Sequence, residues 1–300
     1  MKPHKFTKEA LRIAEPYRIT KDQQFRLNDW DPADVGDIHS KERAHNLLER
    51  STQLLSVLQQ KLWAQDKWAV MLILQGMDAA GKDGVVSHVM SGVNPQGCDV
   101  WSFKQPSAEE LDHDYLWRAH QRAPSRGKIG IFNRSYYEEV LVVRVHSKLL
   151  AAEHAPVLVK SKHLWEQRYE DINAFEKYLA HNGVVVLKFF LHLSKGEQKK
   201  RFLERLDDPQ KNWKFSMADI EERGYWKDYQ RAYEELIQLT ATKHAPWYIV
   251  PADNKWYSRL VVSAAIVETL ERLQLEFPVL DKAKKAELQQ IRKRLVKGEQ

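Results

Sequence analysis

The chain has 300 residues, which suits a single α/β domain with appendages. Hydrophobic residues make up 43% and charged residues 29%, a composition typical of folded globular proteins, and no apolar run approaches the roughly 20 residues that cross a bilayer. The net charge of +6 favours polyanionic partners, but it does not distinguish nucleic acid from nucleotides or inorganic polyphosphate.

Cysteine usage and the start of the chain bear on the compartment. The single cysteine, Cys98, excludes an intrachain disulfide and is typical of a reducing cytoplasm. The basic stretch Met1–Lys5 is followed by no apolar segment, so we expect no signal peptide. We therefore predict a cytoplasmic protein that does not bind membranes.

The first 39 residues lack clear periodicity and are predicted to form an N-terminal arm over the core, with a short helix near Lys8–Ala14. A long helix is predicted from Ser40, where leucines recur at three- and four-residue spacing. The run from Trp68 to Leu74 is rich in Val, Ile, Leu and Met, as expected of a buried strand.

A glycine-rich loop directly follows this strand and precedes a predicted helix. Its pattern, G-x-x-x-x-G-K, is that of a Walker A phosphate-binding loop (P-loop), in which backbone N–H groups and a helix N-terminus face phosphate. Lys82 adds a full positive charge. The position after Lys82 holds Asp83 instead of the usual Ser or Thr, so Asp78 is the predicted magnesium ligand. The predicted phosphate-binding residues of the loop are Gly76, Ala79, Ala80, Gly81, Lys82, Asp83 and Gly84.

The remaining elements alternate between strands and helices, which predicts an α/β fold with a five-stranded parallel sheet and helices on both faces. Further strands are expected at 99–104, 128–132, 184–193 and 247–250, and single helices at 107–119, 163–181, 194–206, 218–242 and 256–275. We predict a kinase domain over 40–276 and a charged C-terminal helix within 277–300.

Polar residues at the end of the third strand are expected to face the loop, because ligands bind at the carboxyl ends of parallel strands. Asn133 occupies the position where many phosphate-loop enzymes have a metal-binding carboxylate. Arg134 could stabilise a transferring phosphoryl group, since a guanidinium matches phosphate oxygens bidentately. The alternative for Arg134 is a surface salt bridge.

A basic stretch follows the fourth strand. Arg205, Lys211 and Lys214 surround Asp208-Pro209, a predicted loop between two helices. This layout is typical of a lid that closes basic side chains over phosphates and excludes water, and we place the lid at about 205–225. The alternative for a charged run is a solvated helix face.

Three blocks together resemble the polyphosphate kinase 2 family: the glycine loop, residues 132–138 (Phe-Asn-Arg-Ser-Tyr-Tyr-Glu), and residues 208–219 with Asp208, Pro209, Lys211, Trp213, Lys214, Ser216 and Asp219. The resemblance implies a fold similar to thymidylate kinase and magnesium-dependent phosphoryl transfer between polyphosphate and nucleotides, with Mn²⁺ as a substitute. It implies catalytic roles for Asp78, Lys82 and Arg134, to which we add Asn133. It assigns Arg205, Asp208, Lys211, Trp213, Lys214, Ser216 and Asp219 to the lid region.

Asn133 and Glu138 depart from the Asp and Asn of many family members. This combination resembles the subgroup that phosphorylates both AMP and ADP, which implies that Glu138 and Arg134 contact the acceptor nucleotide. Glu138 also fits a second interpretation, as the partner of Ser135 in a capping box.

The predicted activity is the reversible transfer of phosphoryl groups from polyphosphate to AMP and ADP. We predict a homo-oligomer whose substrates are adenine nucleotides and also guanine nucleotides. A nucleotide phosphate is largely ionised at neutral pH, so direct transfer needs no general base. The alternative is an ATP-dependent nucleoside monophosphate kinase of the same fold. A nucleic-acid-binding module is disfavoured, because the ten tryptophans are scattered through periodic elements and no recognition motif is present.

Overall fold

The computed structural model describes residues 5–21, 24–153 and 162–298, with the side chains of residues 5–7, 152 and 214 outside the description. Its strands are β1 (Arg18–Ile19), β2 (Ala69–Gln75), β3 (Cys98–Ser102), β4 (Ile129–Asn133), β5 (Val184–His192) and β6 (Trp247–Pro251). Its helices are α1 (Lys5–Ala14), α2 (Lys41–Gln65), α3 (Lys82–Val89), α4 (Ala108–Leu111), α5 (Trp117–Gln121), α6 (Val142–Val145), α7 (Leu164–His181), α8 (Lys195–Asp207), α9 (Met217–Gly224), α10 (Trp226–Thr240), α11 (Lys255–Arg272) and α12 (Lys282–Lys297). No helix within these ranges is long and apolar enough to cross a membrane.

The sheet is mixed, with strands in the order β1-β6-β5-β2-β4-β3. Strands β2 to β6 run parallel, and β1 pairs antiparallel with β6 through Arg18 and Ile19. The prediction of five strands was therefore one short within the described residues. A strand of two residues is too short to show an alternating pattern in the sequence. The path of the N-terminal arm brings β1 to the edge of the sheet.

Alternate residues of the central strand β2 pack on opposite faces of the sheet, as the pleat requires. Val70, Leu72 and Leu74 contact the layer of α1, α2, α3 and α11. Met71 and Ile73 contact the layer of α7, α10 and the turn at 136–140. Both faces of the parallel strands are thus covered, and the loops at the strand carboxyl ends remain accessible.

Two predicted helices are each divided in two. The predicted helix over 107–119 begins at the expected capping box of Ser107 and Glu110, but α4 ends at Leu111 and α5 starts at Trp117. Between them the Asp114 carboxylate accepts a hydrogen bond from the Leu116 N–H at 2.9 Å, a local turn that competes with helix.

The predicted helix over 218–242 is divided at Tyr225, which lies between the end of α9 at Gly224 and the start of α10 at Trp226. Glycine is a poor helix former, and the neighbouring Glu222 bonds to Tyr229 of α10 at 2.6 Å, which holds the two helices at this junction. The lid segment is therefore a short helix joined to a long core helix.

The core beneath the carboxyl end of β4 contains a fully buried ion pair. Lys188 of β5 donates to Glu176 of α7 at 2.6 Å and to the Thr240 carbonyl oxygen at 2.7 Å. The hydroxyl groups of Tyr136 and Tyr137 both donate to Glu176 at 2.8 Å. Burial lowers the pKa of Lys188, and the Glu176 carboxylate opposes that shift. One network thus connects β5, α7, α10 and the turn that follows β4.

Removing one partner of this pair should be far more destabilising than replacing both. We expect Lys188→Met to lower the free energy of unfolding by about 3–5 kcal/mol, because it leaves Glu176 buried and uncompensated. Lys188→Met combined with Glu176→Gln should recover part of the loss, since the amide still accepts from the tyrosines. Urea unfolding measures both, with the exposed Lys177→Met as control; equal losses for Lys188→Met and the control would contradict this role.

Candidate active site

The glycine loop after β2 adopts a conformation that only small residues tolerate. Gly76 has φ +156° and Gly81 has φ +104°, in backbone regions that favour glycine. A Cβ atom on Gly76 would lie 2.9 Å from the Leu191 carbonyl oxygen of β5. Ala79 also has a positive φ, at +62°. The loop is therefore pressed against the sheet, and helix α3 begins directly after it at Lys82.

The loop forms one wall of a cavity of about 1070 Å³, here called the basic cavity. Seven basic and four acidic residues line it among the described residues: Lys82, Lys104, Arg134, Arg201, Arg205, Lys211 and Lys255, and Asp78, Asp83, Glu204 and Asp219. Loop residues 78–84, residues 102–105 of the chain after β3, and the start of α11 contribute to the same space. An excess of positive charge in a concave site favours an anionic ligand.

Lys82 lies folded against its own loop. Its ammonium group donates to the carbonyl oxygens of Gly76 at 2.7 Å and Met77 at 3.3 Å. Burial, and next the Arg134 guanidinium, lowers the pKa of Lys82 to about 8, while the Asp78 carboxylate opposes the shift. An anionic group bound beside this ammonium would favour its charged form.

Arg134 lies between two carboxylates at the end of β4. It has φ +63°, an uncommon value for a non-glycine residue that directs its side chain towards the loop. Its Nη2 donates to Asp78 Oδ1 at 2.8 Å, and its Nη1 lies 3.8 Å from Glu138 Oε2. The Glu138 carboxylate raises the pKa of Arg134 above its usual value. Because 43% of the Arg134 side chain is exposed, it remains accessible to a ligand.

The contacts of Glu138 differ from those of a capping box. Its Oε1 accepts a hydrogen bond from the buried Gln75 side chain at 2.9 Å, and its Oε2 faces Arg134. Ser135 instead accepts from the Tyr137 N–H at 3.2 Å. The capping-box interpretation of Glu138 was therefore wrong, because the turn after Ser135 is a tight one that closes on Tyr137.

Asn133 faces the first turn of α3. Its amide nitrogen donates to Asp83 Oδ1 at 2.6 Å. Asp83, a predicted phosphate-binding residue of the loop, lines the same cavity as Asp78. Within the described residues, no three His, Cys, Asp or Glu side chains are grouped so as to hold a metal ion by themselves.

The predicted lid residues divide into two groups. Arg205, Lys211, Trp213 and Asp219 line the basic cavity. Asp208 and Ser216 are absent from its lining among the described residues, and they hold the backbone of the segment: Asp208 Oδ1 accepts from the Gln210 N–H, and Ser216 forms a capping box with Asp219. The backbone of Lys214 belongs to a short turn over Asn212–Lys214, and its side chain lies outside the described part of the structure.

Helix α8 supplies two side chains that sequence reasoning missed. Arg201 donates to the carbonyl oxygens of Ala79 at 2.9 Å and Ala252 at 2.6 Å, and so joins the glycine loop to the loop after β6. Gln198 donates to the Asp78 carbonyl oxygen at 2.9 Å. In the sequence Arg201 is one positive charge in a basic run, and the only local signal is Glu197, four residues earlier, which pairs with it at 3.0 Å.

A second cavity of about 590 Å³ adjoins the basic cavity and shares Phe103, Lys104, Gln105 and Arg134 with it. Its other lining residues include the apolar Leu111, Val142, Val143 and Leu149, and the charged Arg118, Glu138 and Glu139. We call it the apolar-walled cavity. Sequence reasoning missed it, because its lining comes from separate segments of the chain.

A buried charge cluster supports the wall of this second cavity. Arg118 donates to the Lys104 carbonyl oxygen at 2.8 Å and to Glu139 at 3.3 Å. Arg168 donates to the Glu139 carbonyl oxygen at 2.6 Å. Burial raises the pKa of Glu139 to about 7, while both guanidinium groups oppose the shift. The cluster fixes the segment that carries Glu138 against residues 104–118.

Comparison with known proteins places this geometry in a family. A sequence model described as Polyphosphate kinase 2 (PPK2) matches residues 38–278. An ADP-polyphosphate phosphotransferase from Rhodopseudomonas palustris is 52% identical over 286 residues, which cover 92% of this chain and 99% of the relative. An AMP/ADP-polyphosphate phosphotransferase from Meiothermus ruber is 45% identical over 263 residues, which cover 87% and 94%.

The fold gives the same result as the sequence. The crystal structure of polyphosphate kinase 2 from Arthrobacter aurescens TC1 superimposes with a TM-score of 0.84 at 40% identity, covering 92% of this chain and 95% of that one. The likeness extends over the N-terminal and C-terminal sides of the site alike, and the family match includes the glycine loop, Arg134 and the lid segment. The chain therefore belongs to the polyphosphate kinase 2 family.

Proposed function

We infer that the protein transfers phosphoryl groups from inorganic polyphosphate to AMP and ADP. One observation carries this inference: a basic cavity lined by Lys82 and the lid joins an apolar-walled cavity at Arg134. A phosphate chain suits the first cavity and a nucleoside suits the second, so the reacting phosphates would meet at Arg134. The printed names of both relatives agree with this chemistry, although one names ADP alone and the other AMP and ADP.

The transfer step needs little from the protein beyond positioning and charge. A terminal phosphate oxygen of the nucleotide forms a bond to the terminal phosphorus of polyphosphate, and the bond from that phosphorus to the rest of the chain breaks. The shortened chain leaves with the bonding electron pair, and the acceptor is already ionised, so no proton is removed. Lys82 and Arg134 would neutralise the oxygens around the transferring phosphorus. Asn133, beside Arg134, would orient the loop through Asp83.

We propose Mg²⁺ as the divalent cation, with Mn²⁺ as a substitute, and Asp78 as its principal protein ligand. Magnesium in phosphotransferases is held by one or two carboxylates and by the substrate phosphates, and it neutralises phosphate charge. The donor set fits, because Asp78 and Asp83 both line the basic cavity and no three-residue protein site is required. One Asp78 oxygen already accepts from Arg134, which orients the carboxylate beside the phosphate path.

The glycine loop and the lid complete the phosphate path. Backbone N–H groups of residues 79 and 81–84 are proposed to bind the reacting phosphates, since the Ala80 N–H already donates to the Met77 carbonyl oxygen. Arg205, Lys211 and Lys214 are proposed to bind the rest of the polyphosphate chain. Support comes from the cavity lining, in which residues 79–84, Arg205 and Lys211 take part. Trp213, which is 73% exposed, would cover the cavity mouth on closure. Closure would limit the loss of phosphoryl groups to water.

The finer features rest on the resemblance. We propose a fold similar to thymidylate kinase, adenine as the main base with guanine as a second substrate, a reversible reaction, a homo-oligomeric assembly and a cytoplasmic location. Cys98 as a lone cysteine supports the last of these. The alternative activity, an ATP-dependent nucleoside monophosphate kinase, differs only in the donor.

Donor use tests the function directly. Incubated with AMP, polyphosphate and Mg²⁺ in the absence of ATP, the protein should form ADP and then ATP, as nucleotide chromatography would reveal. Lys82→Ala should reduce product formation by at least about 10²-fold, the scale of losing a principal phosphate-neutralising charge. Its folding can be checked by its melting temperature. Product formation with ATP but not with polyphosphate would support the alternative kinase.

Metal activation tests the role of Asp78. We expect Asp78→Asn to raise the half-activating Mg²⁺ concentration by about tenfold or more, since a neutral amide is a much weaker ligand than a carboxylate. Asn133→Ala and Asp83→Asn should change it less, and Asp83→Asn is the matched control because it removes a second aspartate carboxylate from the same cavity. A larger shift for either control than for Asp78→Asn would contradict the assignment.

Acceptor choice tests Glu138. A carboxylate near the acceptor phosphate repels the second phosphate of ADP more than the single phosphate of AMP. We therefore expect Glu138→Asn to lose AMP phosphorylation more than ADP phosphorylation. Glu138→Gln is the length-matched variant, which removes the charge but can still reach Gln75. The ratio of initial rates with AMP and ADP measures the effect, and an unchanged ratio in both variants would remove Glu138 from the acceptor site.

A further inference from the structure

The last turn of the lid helix α9 touches both sides of the proposed active site through two consecutive residues. Glu222 faces α6, and Arg223 faces α8. Neither residue is among those that line the two cavities within the described chain. We propose that Glu222 and Arg223 act as a two-sided latch that positions the lid on the acceptor wall and on the glycine loop at once.

The acceptor side of the latch is a contact between Glu222 and His146. The His146 Nε2 lies 2.9 Å from Glu222 Oε1, and the Tyr229 hydroxyl donates to Glu222 Oε2 at 2.6 Å. The ring of Tyr225, at the end of α9, packs edge-on against His146 with centroids 4.7 Å apart. Since His146 directly follows α6, whose Val142 and Val143 line the apolar-walled cavity, Glu222 ties the lid to the wall of that cavity.

The donor side of the latch depends on one buried side-chain amide, that of Gln198. Arg223 Nη1 donates to Gln198 Oε1 at 2.6 Å and to the Lys195 carbonyl oxygen at 2.9 Å. Gln198 is 1% exposed, and its Nε2 donates to the Asp78 carbonyl oxygen at 2.9 Å. The amide can serve both partners in only one orientation, because its oxygen must face Arg223 and its nitrogen the loop. The lid position is thereby coupled to the backbone of Asp78.

The sequence neighbours explain why one helix turn reaches both walls. Successive residues of a helix point about 100° apart, so Glu222 and Arg223 face different elements. Tyr225 then divides α9 from α10, which leaves a short helix that can take one position only if its ends are held. The capping box of Ser216 and Asp219 holds the first end, and the latch holds the second.

This inference rests on the proposed function of the lid and of the two cavities, and its test separates the two sides. In Glu222→Ala we expect the Michaelis constant for AMP to rise by about tenfold, the scale of losing one charge-assisted hydrogen bond, with less than about a twofold change for polyphosphate. In Arg223→Ala we expect the Michaelis constant for polyphosphate to rise by about tenfold, with less than about a twofold change for AMP. The double variant should also release more free phosphate from polyphosphate per nucleotide product than either single variant, because a loosely held lid admits water.

The matched controls lie on the exposed surface of the neighbouring helix α10. Asp228→Ala and Arg231→Ala remove the same charges from exposed positions and should behave as the unmodified protein. Arg223→Lys should recover part of the polyphosphate affinity, since it keeps a charge and a donor. The latch is overturned if both single variants behave as their controls, or if each raises both Michaelis constants equally. Failure of the unmodified protein to use polyphosphate at all would instead overturn the proposed function.

Discussion

The guanidinium group of Arg201 bonds to backbone carbonyl oxygens of two loops at once, and the rest of the site is built around that contact. It holds Ala79 and Ala80 of the glycine loop and Ala252 and Asp253 of the loop after β6, while Glu197 accepts from its Nε. Carbonyl groups that are buried or partly buried need a donor, and the Arg201 guanidinium supplies it to all four. A single side chain, 5% exposed, therefore fixes a loop whose glycines, Gly76 and Gly81, are conformationally free.

Because its backbone is fixed, the glycine loop can hold charged side chains close to one another. Burial, and next the Arg134 guanidinium, lowers the pKa of Lys82, while the Asp78 carboxylate opposes the shift and pairs with Arg134. Such a group of charges is arranged for a ligand that brings negative charge of its own, since phosphates would relieve the repulsion between the two cations. The apolar-walled cavity next to Arg134 adds a space suited to a nucleoside. The site is thus a junction of two cavities, as a transfer between two phosphorylated substrates requires.

The segment after β4 is also held in place by buried contacts. Tyr136 and Tyr137 anchor it to Glu176 and Lys188, whose side chains are fully buried. A buried ion pair is weak support for overall stability, but it penalises any other placement of the turn strongly. The uncommon backbone conformation of Arg134 lies directly before that anchor. Rigid support of this kind suits the role proposed for Arg134, whose guanidinium would bind oxygens of the transferring phosphoryl group.

The sequence by itself determined the alternation of strands and helices, the glycine loop, the residues Asn133, Arg134 and Glu138 after a buried strand, and the basic segment from Arg205 to Lys214. Each is a local pattern, and local spacing is enough to predict it. The resemblance carried by three short blocks also gave the family, because three separate motifs occur together in a fixed order.

Only the tertiary structure decided which distant residues meet. The sequence pattern does not distinguish Arg201, which is buried against the loop, from Lys200, whose side chain is 66% exposed, because Glu197 lies about one helical turn before both. The two-residue strand β1 and the partners of Glu138 depend on contacts between segments far apart in the chain. The physical reason is that a side chain's role is set by what packs against it, and helix periodicity states only which face it occupies.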